Sequence, residues 1–87
     1  MRLEGRLYTA NRLLDVKEVH VDDDPSLPFS RNLEQALILV CKDLDIPIPM
    51  WMKKNTKEFA AFHQTVFFAE QYQEKVRFDR FQIRWIE

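Results

Sequence analysis

The sequence predicts a small single α+β domain spanning residues 1–87, of order ββααβ: a three-stranded, mainly antiparallel sheet covered on one face by two helices. Three observations predict it. Residues 1–9, MRLEGRLYT, alternate apolar and polar side chains with the period of a half-buried strand. From Arg31 to Leu44, and again from Thr56, apolar residues recur every three or four positions, as one face of a helix requires. RFDRFQIRWIE, at the C-terminus, returns to the alternation of a strand.

In the first strand Leu3, Gly5 and Leu7 point one way, and Arg2, Glu4, Arg6 and Tyr8 the other. RLLDVKEVHVD is also strand-like, but its parity slips: Leu14 and Val16 share one face, Val19 and Val21 the other. A bulge near Lys17–Glu18 would reconcile them, since one extra residue swaps the faces. TANR between the two strands is short enough for a hairpin, although it lacks the Asn-Gly signature. DDDPSLPFS reads as a loop, because its aspartates repel and its prolines lack an amide donor.

The first helix is expected from about Arg31 to Leu44. Asn32 and Gln35 have capping-box spacing, with Ser30 as a competing cap. Leu33, Leu37, Val40, Cys41 and Leu44 form its inner stripe. Ile38 and Leu39 fall off that stripe, so this helix should be covered on more than one side. Pro47 and Pro49 then push Ile46 and Ile48 into extended backbone and end it. IPIPMWMKKNTKE is thus a stiff crossover, and Asn55 with Glu58 offers a capping box for a second helix. Within the crossover Ile46, Ile48, Trp51 and Met52 can alternate toward the core, or Met50 and Trp51 can stand out as an exposed anchor.

Beyond Thr56 the positions Phe59, Phe62, Val66, Ala69, Tyr72 and Val76 keep a helical period, which favours a helix over 56–74. TVFF, at 65–68, also has strong β propensity, so helix and strand both stay open for 64–74. The last strand turns Phe81, Ile83 and Trp85 to one side, and Arg80, Gln82 and Arg84 to the other.

The stretch LDIPIPMW.KKNTKEFAAF, followed by EKVRFDRFQI, resembles a small uncharacterised bacterial protein family. The likeness spans about half of the chain and its motifs are not chemical ones. It implies a bacterial, cytoplasmic origin and carries over no catalytic or binding residue.

Composition narrows the function classes. A net charge of −1 gives no general pull toward nucleic acid or an acidic membrane. MRLEGRLY lacks the apolar core of a signal peptide, and no apolar run approaches the ~20 residues that span a bilayer, so a cytoplasmic chain is expected. The single glycine, Gly5, lies in a strand, which excludes glycine-rich phosphate loops. Ser26 and Ser30 sit in a Pro-rich loop rather than a nucleophile elbow. Cys41, the only cysteine, falls on an apolar helix face where thiolate is disfavoured. His20 and Asp22 project to one side of a strand end and are the most metal-like pair, yet no second histidine stands at ligand spacing. His63 reads as a boundary histidine. No catalytic, cofactor or metal residue is expected.

What remains is surface. If the first and last strands are neighbours, Arg6, Tyr8, Arg80 and Arg84 share the open sheet face. Such a face can receive a protein partner, or stack on single-stranded nucleic acid. With Ile38, Leu39, Met50 and Trp51, these residues define the candidate interaction surface. The expected function is a non-enzymatic protein-interaction module that binds a protein partner or itself. The alternatives are weak single-stranded nucleic-acid binding through the Arg/Tyr face, and a small metal protein or enzyme built on His20 and Asp22.

Overall fold

The computed structural model describes all 87 residues. It is α+β with two helices on one face of an antiparallel sheet, but the sheet has four strands rather than three. The elements are β1 (Arg2–Thr9), β2 (Arg12–His20), α1 (Phe29–Leu44), α2 (Lys53–Phe62), β3 (Gln64–Phe68) and β4 (Arg80–Trp85), with a 3-10 turn at Ala69–Gln71. Strand order is β2-β1-β4-β3, and every neighbour is antiparallel.

The fourth strand replaces the helix expected over 56–74. α2 stops at Phe62, where His63 takes a left-handed φ of 57° and donates its N–H to Phe59 O. Two periods compete in this stretch: Phe59, Phe62 and Val66 keep a helical one, whereas Thr65 and Phe67 alternate. Alternation wins because β4 would otherwise end the sheet with an unpaired edge. In the strand, Phe67 is fully buried and stacks on Phe81 at 5.8 Å, and Thr65 is buried opposite Ile83.

β1 follows its alternation: Leu3 and Leu7 are fully buried and the intervening polar residues are not. Gly5 faces the same core for a steric reason. A Cβ there would lie 2.8 Å from Phe81 and 2.9 Å from Val40, so glycine lets α1 settle onto the sheet. The bulge in β2 is at Leu14, not at Lys17–Glu18. Leu7 pairs with Asp15 and Tyr8 with Leu13, which leaves Leu14 between them. Only Val19 and Val21 are covered by α1, so Leu13, Leu14 and Val16 remain exposed.

α1 starts two residues earlier than expected, with Pro28 as N-cap and no side-chain cap. Neither Ser30 nor Asn32 caps it. Asn32 is buried and ties the helix to the preceding loop: its Oδ1 accepts Asp24 N–H at 3.0 Å and its Nδ2 donates to Asp24 O at 3.2 Å. Leu33, Ala36, Leu37, Val40, Cys41 and Leu44 are its buried stripe. Asp45 closes the helix in left-handed conformation, with φ 56°, immediately before the Ile-Pro-Ile-Pro segment.

α2 begins at Lys53, with Met52 rather than Asn55 as N-cap. Asn55 instead sits one turn in, completely buried, at the centre of a polar network. Its Oδ1 accepts Met52 N–H at 2.9 Å and Gln71 Nε2 at 3.1 Å. Its Nδ2 donates to Thr65 Oγ1 at 2.8 Å and to Val66 O at 3.2 Å. Gln71 adds a bond to Met50 O and accepts from Phe68 N–H, and Thr65 donates to Glu58. The network fastens α2, the crossover and the 3-10 turn to the outer edge of β3.

Candidate interaction site

Two surfaces gather the residues that the sequence singled out, and they differ in chemistry. The open sheet face carries Arg6, Tyr8, Arg80 and Arg84, brought together because β1 and β4 are neighbours. Tyr8 pairs with Arg80, Arg6 with Gln82 and Glu4 with Arg84. Most of these charges are already engaged. The Arg80 guanidinium lies 4.3 Å from the Tyr8 ring centroid and donates to Ala10 O at 2.9 Å. Arg6 Nε meets Glu4 at 2.7 Å, and Arg2 bridges Glu18 and Glu87. Arg84 forms no ion pair or side-chain hydrogen bond, and alone projects a free guanidinium from this face.

The second surface is a groove between α1 and α2, a cavity of about 610 Å³. Phe29, Leu33 and Leu37 supply one wall and Phe59 with Ala60 the other, while Ile48 and Trp51 close one side. Trp85, at the end of β4, also lines it. The rings touch one another: Phe29 is 5.0 Å from Trp85 and 6.3 Å from Phe59, and Trp51 lies 6.2 Å from Phe59. Such a volume, mostly apolar with a few polar groups, has the size and character of a binding cleft. The polar groups are Ser30, Glu34, Thr56 and His63. His63 is exposed, and its ring stands 5.0 Å from Trp85.

Trp51 resolves as a half-buried wall rather than as core or free anchor, and of the other crossover residues expected to turn inward only Ile46 is buried, while Ile48 and Met52 are exposed. It packs on Phe67 at 5.6 Å, and its indole N–H donates to Thr56 Oγ1 at 2.8 Å. Met50 beside it is 55% exposed, held only through its backbone to Gln71. Ile38 and Leu39 are both exposed, on different sides of α1: Ile38 follows Glu34 by one turn, toward the groove, and Leu39 does not. The structure therefore separates Ile38, Met50 and Trp51 from the Arg/Tyr face. It adds Phe29, Phe59, His63 and Trp85, which the sequence pattern places in a loop, on the apolar faces of a helix and a strand, and at a boundary. The signal for a groove was present only as an excess of aromatics for so short a chain.

Elsewhere, titratable groups are dispersed. No three His, Cys, Asp or Glu side chains come close enough to hold a metal ion, the His20 and Asp22 region included. Cys41 is 1% exposed, and burial pushes its thiol up to about 12. No helix is long and apolar enough to cross a membrane. Comparison with protein-family models, curated proteins and solved structures finds no match to this chain.

Proposed function

We propose that this chain is a non-enzymatic protein-interaction module that receives an apolar segment of a partner protein in the α1–α2 groove. The observation that carries this reading is the groove itself, whose mouth leaves Phe29 45% and Ile48 53% exposed. Large apolar side chains around a cleft in a water-soluble fold cost solvation unless something covers them. Aromatic walls suit a partner that inserts one or two bulky side chains, the usual anchors of a protein contact. Lys53 and Lys57 stand on the same side of α2 as Ala60, so an acidic flank on the partner segment would complement the groove. A binder is favoured over a catalyst because the groove holds one imidazole and one carboxylate among apolar walls, while the thiol lies buried elsewhere.

The two tryptophans of the chain both line the groove, which makes intrinsic fluorescence its reporter. Panning a displayed peptide library on the folded protein should enrich short segments with paired aromatic or aliphatic residues. Synthetic versions should shift tryptophan emission and bind Ile48→Glu at least ~10-fold more weakly, the equivalent of one lost apolar contact. Peptides that bind the wild type and Ile48→Glu equally well would show that the groove is not the contact.

A further inference from the structure

We infer that the free edge of β2 pairs antiparallel with β2 of a second copy of this chain, which joins the two sheets into one of eight strands. The argument concerns a different surface from the groove and stands independently of it.

The starting point is where the backbone of β2 points. Met1 and Val21 exchange both hydrogen bonds, Met1 N to Val21 O at 2.7 Å and Val21 N to Met1 O at 2.9 Å. By alternation, Val19 and Lys17 also turn their N–H and C=O to β1, whereas Glu18 and His20 turn theirs outward. No loop or side chain bonds those outward groups. The outer edge of β3, by contrast, is occupied at Val66 O and Phe68 N by Asn55 and Gln71. β2 is also the longer edge strand, and Leu13, Leu14 and Val16 on it are exposed. A long open edge with apolar side chains is a template for another strand.

Charge selects the partner and the register. The bulge at Leu14 confines a regular ladder to residues on its C-terminal side, where outward groups must meet outward groups. A two-fold axis on Val16 would need that residue's outward N–H, which Asp15 Oδ1 already accepts at 2.8 Å, so within β2 four placements remain. Centred on Lys17 it sets two lysines face to face, and centred on Glu18 it sets two carboxylates face to face. Centred on His20 it opposes Glu18 to Asp22. Centred on Val19 it opposes Glu18 to His20 twice and Val19 to Val19, and its first like-charged pair, Asp15 with Asp23, falls at the far ends of the ladder, where Asp23 already lies 3.3 Å from the N-terminal ammonium. Like charges across a strand pair destabilise, whereas a carboxylate can accept the N–H of a facing imidazole, so β2 is complementary to its own copy in that register.

The helices fit the same arrangement. α1 packs on both β1 and β2, so two paired copies of β2 would place their α1 axes two strand spacings apart. That is about 10 Å, the distance at which helices pack. Leu39, seven residues after Asn32, lies on the side of α1 that faces the β2 end of the sheet, where Asn32 bonds Asp24. Its 41% exposure would be lost against the second α1.

The test is the mass of the full chain by sedimentation velocity across a concentration series, with circular dichroism to confirm folding. The wild type should dimerise. Glu18→Pro removes an outward N–H and no internal backbone hydrogen bond, losing within the chain only the exposed ion pair with Arg2, so it should stay folded and become monomeric, whereas Glu18→Gln, which loses that ion pair but keeps the N–H, should still dimerise. Glu18→Lys faces His20 in the copy and should weaken the dimer at least ~10-fold, and adding His20→Glu should restore it. Leu39→Lys should weaken it as well. A monomer at every concentration would overturn the inference. So would a dimer indifferent to Glu18→Pro and Leu39→Lys but lost in Ile48→Glu, since the contact would then be the groove.

Discussion

The two edges of the sheet solve the same problem in opposite ways. On the β3 side, Asn55, Thr65 and Gln71 are buried and bonded to one another, to Met50, Met52 and Phe68, and to the strand's own carbonyl at Val66. On the β2 side, the strand is bordered by exposed Leu13, Leu14 and Val16 and by surface ion pairs. The difference is one of cost. A buried polar network is stabilising only when every member is satisfied, so its loss is expensive. An exposed pair in water contributes little, so that edge can change partners without unfolding the domain. One edge belongs to the fold, and the other is available to function.

The largest effect should therefore come from the closed edge. Asn55→Ala leaves Met52 N–H, Val66 O, Thr65 and Gln71 each short of a partner inside the protein. Buried polar groups without partners cost ~1–3 kcal/mol each, and relaxation will recover part of that. A loss of about 3 kcal/mol or more is expected in urea denaturation, with the β3 amides losing protection first. A loss below ~1 kcal/mol would mean that the network is decoration on an otherwise stable edge.

Cys41 offers a view of the same core from α1. Its thiol is raised to about 12 from an ordinary value of 9.0 because burial disfavours thiolate. The native state thus favours the protonated thiol. Its contribution to stability is intact below the ordinary value and drains away as pH rises from there toward about 12. Labelling by a thiol reagent at neutral pH should proceed only through opening, and should accelerate in Asn55→Ala in step with the stability lost. Labelling at the rate of a free thiol in the wild type would contradict the burial.

A smaller effect, of opposite sign, is expected just past the 3-10 turn. Tyr72 packs edge-on against Phe78 at 5.3 Å, but its hydroxyl is buried without a hydrogen-bond partner. Burial and the nearby Cys41 raise its ionisation well above the ordinary range. Tyr72→Phe keeps the ring and removes the unsatisfied group, so it should stabilise by ~1 kcal/mol. Destabilisation instead would show that the hydroxyl has work that its packing does not reveal.

The contrast between edges also explains which parts of this fold could be read from sequence. β1, α1, the proline-stiffened crossover and β4 follow from one local signal each: strict alternation, a single apolar stripe, or fixed φ angles. β3 does not, because Val66 and Phe67 satisfy two periods at once and only the unpaired edge of β4 decides between them. The sequence pattern misplaces the bulge for a related reason. Matching every valine to the core moved it to Lys17–Glu18, whereas α1 covers only the Val19 end and lets Val16 face water. Asn55 looked like a cap because its spacing to Glu58 is local, while its actual partners are Thr65, Val66 and Gln71. The groove was least legible: Phe29, Phe59 and Trp85 come from three elements, and no spacing joins them.

The smallest effect should be found at the open edge. Arg2 reaches Glu18 at 3.0 Å and Glu87 at 2.8 Å, and all three side chains are solvent-accessible. A double-mutant cycle with Arg2→Gln and Glu18→Gln should give little coupling in the monomer, falling further with salt. The value of the cycle lies in its dependence on concentration. If β2 is only a solvated edge, coupling is the same in dilute and concentrated samples. If it meets its own copy, Glu18 lies opposite a second His20 and shares its carboxylate between two partners. The cycle measured at high concentration would then depart from the dilute value, and Arg2→Gln alone would alter the association. An edge that shows neither response is closed to partners despite its free backbone, and the two sides of the sheet would differ in construction but not in use.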